Sequence, residues 1–328
     1  MLRLALRSFA TLLLYAIVGS IAIFVALRVI GGDVAAVILG QSSTPASLAS
    51  LRHELGLDRS WTAQYGDWLW GFVRGDLGVS YATRYNIASE IKQRLLVTVP
   101  LVLMSLTAAS LLALVFGTLA ARHAKKARGT VIDVVTQIGI CVPVFWLGLL
   151  LVGLVSVRWG LLPAGGFVPW GTDPVESLRS LLLPAITLTV PLSAVLTRYV
   201  RSSMLDVLSE DYIRTARARG RTLNSAMLVH GLRNAAIPVV TILGLELGGL
   251  LSGAVVVEVV FGLPGLGQLM LSAVVEREVV VVQSLGLVLL LVVLVVNFCT
   301  DLIYGLLDPR LHARGRAPLA TPATSVSA

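Results

Sequence analysis

Six apolar runs, at 9–30, 97–121, 131–157, 181–200, 239–261 and 280–307, decide most of what this chain can become. Each is about 20 residues or longer, enough for a helix to cross a hydrocarbon core roughly 30 Å thick. The alternation of a β-barrel strand is absent, so the expected spans are helices, which satisfy their own backbone polar groups. With 56% hydrophobic and 13% charged residues, the chain is far too apolar for a soluble domain. The first run follows Arg3 and Arg7, exceeds the apolar core of a secretory signal and lacks a small-residue cleavage site. It is expected to remain as an uncleaved first span.

A net charge of +8 could suit nucleic acid, but the basic residues cluster in short connections between spans. Bilayer topology explains them, and no nucleic-acid partner is expected. Arg3 and Arg7, then Arg122, Lys125, Lys126 and Arg128, then the arginines from Arg198 to Arg233, then Arg310, Arg314 and Arg316 fall on one side of a six-span path. The positive-inside rule makes that side, and both termini, cytoplasmic. Trp68 and Trp170 are then expected outside.

The polar segment at 31–96 lies outside the membrane in this scheme. Thr44-Pro45-Ala46 opens a helical pattern with Leu48, Leu51 and Leu55, and Tyr65, Trp68, Leu69 and Phe72 share one face of a second helix. Two readings of these aromatics stay open: an interfacial belt, or a docking surface for another protein.

The polar stretch between the fourth and fifth apolar runs, 206–238, is expected on the cytoplasmic side. Arg214, Arg217 and Arg221 recur at helical spacing, with Ile213, Ala216 and Gly220 on a neighbouring smaller face. Gly220 followed by Arg221 and Thr222 reads as a helix stop and a new N-cap. The core Asp211-Tyr212-Ile213-Arg214-Thr215-Ala216-Arg217, closed by Arg219 and Gly220, is followed by His230, Arg233, Asn234, Ala235, Ile237 and Pro238. Together they resemble the ATPase-coupling motif of permease subunits of ATP-binding-cassette importers, in the dipeptide/oligopeptide/nickel branch. Further likeness lies in Gly32-Asp33, in Arg52-x-Glu54-Leu-Gly-Leu-Asp58, in Arg74-Gly-Asp-Leu-Gly78-x-Ser80 and in the run of valines around Glu258 leading to Phe261-Gly262. Gly31 and Val34 stand where the branch places prolines.

The resemblance implies an all-α membrane protein with six transmembrane helices in a type I importer-permease bundle. Its parts would be 1–30 (N-terminus and first span), 31–96 (helical extracytoplasmic segment), 97–307 (five-helix core) and 308–328 (cytoplasmic tail). It also implies a related second permease subunit, two ATPase subunits or domains, and an extracytoplasmic substrate-binding protein, all at a bacterial or archaeal cell membrane. ATP and Mg²⁺ would be held by the ATPase partners, leaving this chain without a cofactor. Coupling would fall to Asp211, Tyr212, Ile213, Arg214, Thr215, Ala216, Arg217 and Gly220. The implied cargo is a short peptide, with nickel or another small solute as the alternative.

Pathway or gate candidates are Glu246, Glu258, Pro264 and Gly265. An ionisable group at membrane depth is costly and faces protein or water; for Glu246 a lumen-facing position and an interhelical hydrogen bond both stay open. The loop 261–267, with Pro264 and Gly265, is either a tight turn or a re-entrant cap on a pathway. Pro143, Pro184 and Pro191 are candidate kinks, and the Gly244, Gly248, Gly249, Gly253 series allows close helix approach. No phosphate-binding glycine loop occurs, the four histidines are scattered, and Cys141 and Cys299 lie inside apolar runs, so neither catalysis nor a metal site is expected. A self-contained secondary transporter would need its own ion-coupling groups near mid-membrane, and a membrane enzyme would need a catalytic constellation. The sequence supplies neither.

Overall fold

The structure, a computed structural model, describes residues 2–30, 34–40, 44–222, 225 and 232–307. Helices account for nearly all of it, and the described residues contain no strand beyond an isolated bridge between Val79 and Asn86. Helix α1 (Leu2–Ile30) precedes three short helices, α2 (Val34–Leu39), α3 (Pro45–Glu54) and α4 (Trp61–Val73). The core follows as α5 (Ile87–Arg122), α6 (Ala127–Cys141), α7 (Val144–Leu151) with a π-helical continuation (Val152–Arg158), α8 (Pro174–Ser209) and the short α9 (Asp211–Ala218). Last come α10 (Leu232–Val260), α11 (Leu266–Val275) and α12 (Val279–Leu307).

Among the described residues, five helices are long and apolar enough to span a membrane, or six if one bent pair counts as a single span. That pair lies in the third apolar run and breaks at Pro143, one of the three candidate kinks. Ala127–Cys141 and Val144–Arg158 meet at 100°. Pro143 lacks an amide hydrogen and disfavours helical backbone in the residue before it, and Val142 is accordingly extended. Pro184 and Pro191 have no such effect: α8 runs through both for 36 residues. Helix α5, also 36 residues, begins at Ile87, well before its apolar run opens at Val97.

The main core lies where α5, α8 and α10 meet and includes Leu101, Leu181, Leu196, Val200, Met204, Val257 and Phe261, all nearly inaccessible. A smaller core joins α11 and the start of α12 to α5 through Ile87, Ile91, Leu269, Val281 and Leu285. Helix α1 packs along α12, with Phe9 edge-on to Phe298. The aromatic face expected on α4 exists and is turned inward. Tyr65 and Trp68 pack on Phe24 of α1, and the Tyr65 hydroxyl lies 2.8 Å from Ser20 Oγ. Trp61 and Trp70 point outward, the latter stacked by Arg74.

Candidate functional site

Helix α9 follows α8 directly after Glu210, whose extended backbone ends the long helix. Ile213 is 2% exposed and packs with Val207 of α8, so this one apolar side chain seats the short helix against the bundle. Its other described side chains stay outside. Arg214 donates to Asp211 Oδ1 at 3.2 Å, with both groups largely solvated, and Thr215 Oγ1 donates to the Asp211 carbonyl at 3.0 Å. Tyr212 is 38% exposed. The side chains of Ala216 and Arg217 are not among those described. The expected stop is present, because Gly220 has φ +86°, a left-handed conformation that side chains with a Cβ rarely adopt. At the expected N-cap, Ser225 N–H donates to Thr222 Oγ1 at 3.3 Å; most of the stretch it would cap lies outside the described residues. His230, Gly31, Gly32 and Asp33 lie outside the described residues, as do the side chains of Arg233, Asn234, Ala235, Ile237 and Pro238.

The second constellation sits at the opposite end of α10. Glu258 is inaccessible to solvent, and its carboxylate caps a helix other than its own. Gly267 and Gln268, in the first turn of α11, donate their N–H groups to Oε2 at 2.7 and 3.1 Å. Thr98 Oγ1, from α5, donates to Oε1 at 2.6 Å and accepts from Leu266 N–H at 2.9 Å. The orphan donors at a helix start, and the dipole behind them, suit a negative charge here. Gly265 is required by proximity rather than by torsion: a Cβ there would lie 2.1 Å from Glu258 Cδ. Pro264 lies in the loop leading to Gly265, so the motif at 261–267 forms a turn packed inside the protein and pinned to three helices. A cavity of about 220 Å³ opens beside it, with Thr98, Gly248, Ser252, Val255, Leu289 and Val293 in its wall.

A related clasp holds the other end of α11, and sequence reasoning missed it. Arg277, at φ +57°, turns the chain so that Glu278 N–H donates back to Ala273 O at 2.8 Å. The buried Glu278 carboxylate then accepts from Ser80 Oγ at 2.8 Å, Ala82 N–H at 2.6 Å and Tyr81 N–H at 3.1 Å. Ser284 Oγ donates to Leu77 O at 2.9 Å. Burial pushes the Tyr81 phenol above its ordinary pKa, Arg28 opposes this and Glu278 adds to it. Burial raises Tyr85 as well, helped by Glu278. In sequence, Glu276-Arg277-Glu278 reads as a solvated charge run, and no local spacing connects it to Ser80.

Glu246 lies in α10, partly exposed, near neither clasp. Among the described residues, no three or more His, Cys, Asp or Glu side chains are placed to hold a metal ion.

Residues 113–313 match the family described as binding-protein-dependent transport system inner membrane component, and residues 1–102 match the N-terminal component of such systems. The dipeptide transport system permease protein DppB of Escherichia coli (strain K12) is 38% identical over 319 residues, covering 88% of this chain and 92% of that protein. A putative peptide transport system permease protein of Brucella suis biovar 1 is 36% identical, with 95% of this chain and 99% of that protein covered. The di/tripeptide transport system permease protein DppB of Pseudomonas aeruginosa (strain UCBPP-PA14) is 38% identical, with 88% and 92% covered.

Proposed function

The chain belongs to the family of binding-protein-dependent transport system inner membrane components, and on that footing we propose that it is a permease subunit of an ATP-driven importer of di- and oligopeptides. The peptide cargo is supported by the relatives named for dipeptides, di/tripeptides and peptides. The observation that carries the coupling role is α9, a short helix seated by Ile213, with Tyr212, Arg214 and Thr215 turned outward and a left-handed glycine at its end. Such a helix suits insertion into a groove on a separate ATPase.

In this reading, the subunit pairs with a second related permease, and two ATPase subunits or domains dock on the α9 helices and hold ATP and Mg²⁺. A binding protein delivers peptide on the opposite face. Closure of the ATPase pair pulls α9, and rigid-body rocking of the two bundles switches access from one side to the other. The basic clusters support placing α9 and both termini in the cytoplasm. Cysteine labelling from outside is expected to reach position 68 and miss position 125; the reverse pattern overturns that orientation.

The deciding experiment uses the reconstituted importer, with substrate-stimulated ATP hydrolysis and ATPase pull-down as readouts. Ala216→Trp is expected to uncouple most severely, because a bulky side chain on a closely seated helix holds its partner off. Peptide capture by the external binding protein is expected to persist. Parent-like transport by Ala216→Trp, or failure of any ATPase to associate with the parent chain, overturns the proposal.

A further inference from the structure

Glu246 is a carboxylate at membrane depth that the described part of the fold leaves without an internal use. It sits about a third of the way along the apolar part of α10, and no described residue gives it a hydrogen bond or an ion pair. The interhelical hydrogen bond that the sequence left open is therefore not made with any described residue. The neighbouring backbone explains where the carboxylate goes. A Cβ on Gly249 would meet Glu246 Oε2 at 3.8 Å and nothing else, and one on Gly248 would meet nothing within 4 Å. Gly249 belongs to a stripe with Leu245, Ser252, Val256 and Val259, all exposed and recurring on one face of α10. The opposite side is packed: Gly244 abuts Thr300, and Leu250, Ala254 and Val257 are in the core.

A lone carboxylate leaning over exposed glycine at membrane depth is costly against lipid and is expected to face water or protein. We propose that Glu246 binds the terminal ammonium of the peptide as it crosses, with the exposed stripe of α10 forming one wall of the pathway. This rests on the importer reading above and adds a subsite to it. The chemistry is complementary. A peptide with a free amino terminus loses hydration on entering a low-dielectric pathway, and a single carboxylate offers the charge-assisted hydrogen bonds that replace it. The carboxyl end of the same peptide is repelled, so the amino end is the one held at this depth. The small side chain of Ser252 and the bare Gly248 and Gly249 leave room for the peptide backbone.

The test compares the parent, E246Q and E246D in the complete importer reconstituted into proteoliposomes, with the binding protein supplied outside. The cargo is labelled alanyl-phenylalanine, uptake is counted per ATP hydrolysed, and subunit assembly is followed by co-purification. E246Q, which keeps the shape and removes the charge, is expected to lower uptake per ATP about ten-fold. E246D, which keeps the charge, is expected to retain most of it. Parent-like uptake by E246Q overturns the inference while leaving the importer intact. Loss of co-purifying permease partner in E246Q also overturns it, because the carboxylate then serves a contact between subunits. Parent proteoliposomes that assemble, hydrolyse ATP and move no dipeptide overturn the peptide reading itself, and this inference with it.

Discussion

The two ends of this subunit treat their polar residues in opposite ways. Around α11, Glu258 and Glu278 are buried and fully engaged, each accepting at least three hydrogen bonds from within the chain. Around α9, Asp211, Arg214 and Thr215 are solvated, and the Arg214–Asp211 ion pair spans three residues on the surface. The first region is finished by the chain itself, whereas in the second Asp211, Arg214 and Thr215 are left to solvent. Polar density alone does not separate a structural clasp from a contact surface; burial and internal satisfaction do.

That contrast can be broken by substitution. The largest expected effect is Gly265→Val, because its Cβ would overlap the Glu258 carboxylate. Overpacking and the loss of a buried cap together cost roughly 3 kcal/mol or more. The outer turn is expected to unseat, seen as loss of a monodisperse subunit in detergent. Wild-type behaviour would show that the turn yields easily.

Next is Glu258→Ala, which leaves the N–H groups of Gly267 and Gln268 buried without their acceptor. At about 1–3 kcal/mol for each unmet donor, the thermal midpoint is expected to fall by several degrees, and Glu258→Gln should lose less. Glu278→Ala is expected to follow, with protease sensitivity appearing at 80–82, where its two backbone donors are released. An unchanged digestion pattern would deny that Glu278 holds this loop.

Gly220→Val lies across the divide. Forcing a β-branched residue into the left-handed region costs on the order of 1–2 kcal/mol. Membrane insertion is expected to be near normal and transport poor, and normal transport would refute the role of this turn. The smallest effect on the isolated subunit is expected from Arg214→Ala. Its exposed ion pair adds little to stability, so the thermal midpoint should not move, while ATPase retention in pull-down weakens and becomes more salt-sensitive. A drop in the midpoint would show that Arg214 serves the subunit's own fold.

Much of this architecture is legible in the residues because membrane helices are written in long apolar runs. The α9 stop is legible for a local reason too: a glycine after a helical repeat, then Arg221 and Thr222, marks a boundary within a few residues. The bend at Pro143 is half-legible: the proline and its local effect on Val142 are visible in sequence, but not which of the prolines inside apolar runs will break its helix. Nearby Pro184 and Pro191 look the same and do nothing comparable. The clasps are the illegible part. Thr98 meets Glu258 across 160 residues and Ser80 meets Glu278 across 198. No local pattern encodes such pairs, because their hydrogen bonds exist only once three helices have closed around α11. The inward turn of Tyr65 and Trp68 is of the same kind, decided by Phe24 on α1.

The length of α8 carries one more consequence. Its apolar stretch ends near Val200, and the helix continues to Ser209. At about 1.5 Å per residue, those last nine residues reach some 13 Å past the hydrocarbon edge when the helix runs near the membrane normal. Head groups occupy roughly 5–7 Å of that distance. What remains is close to one screening length at physiological salt, about 8 Å, so the field of anionic lipid is already much reduced where α9 begins. A bilayer surface therefore holds a charge at the start of α9 only weakly, and under the coupling proposal that leaves the Arg214 charge to a protein partner.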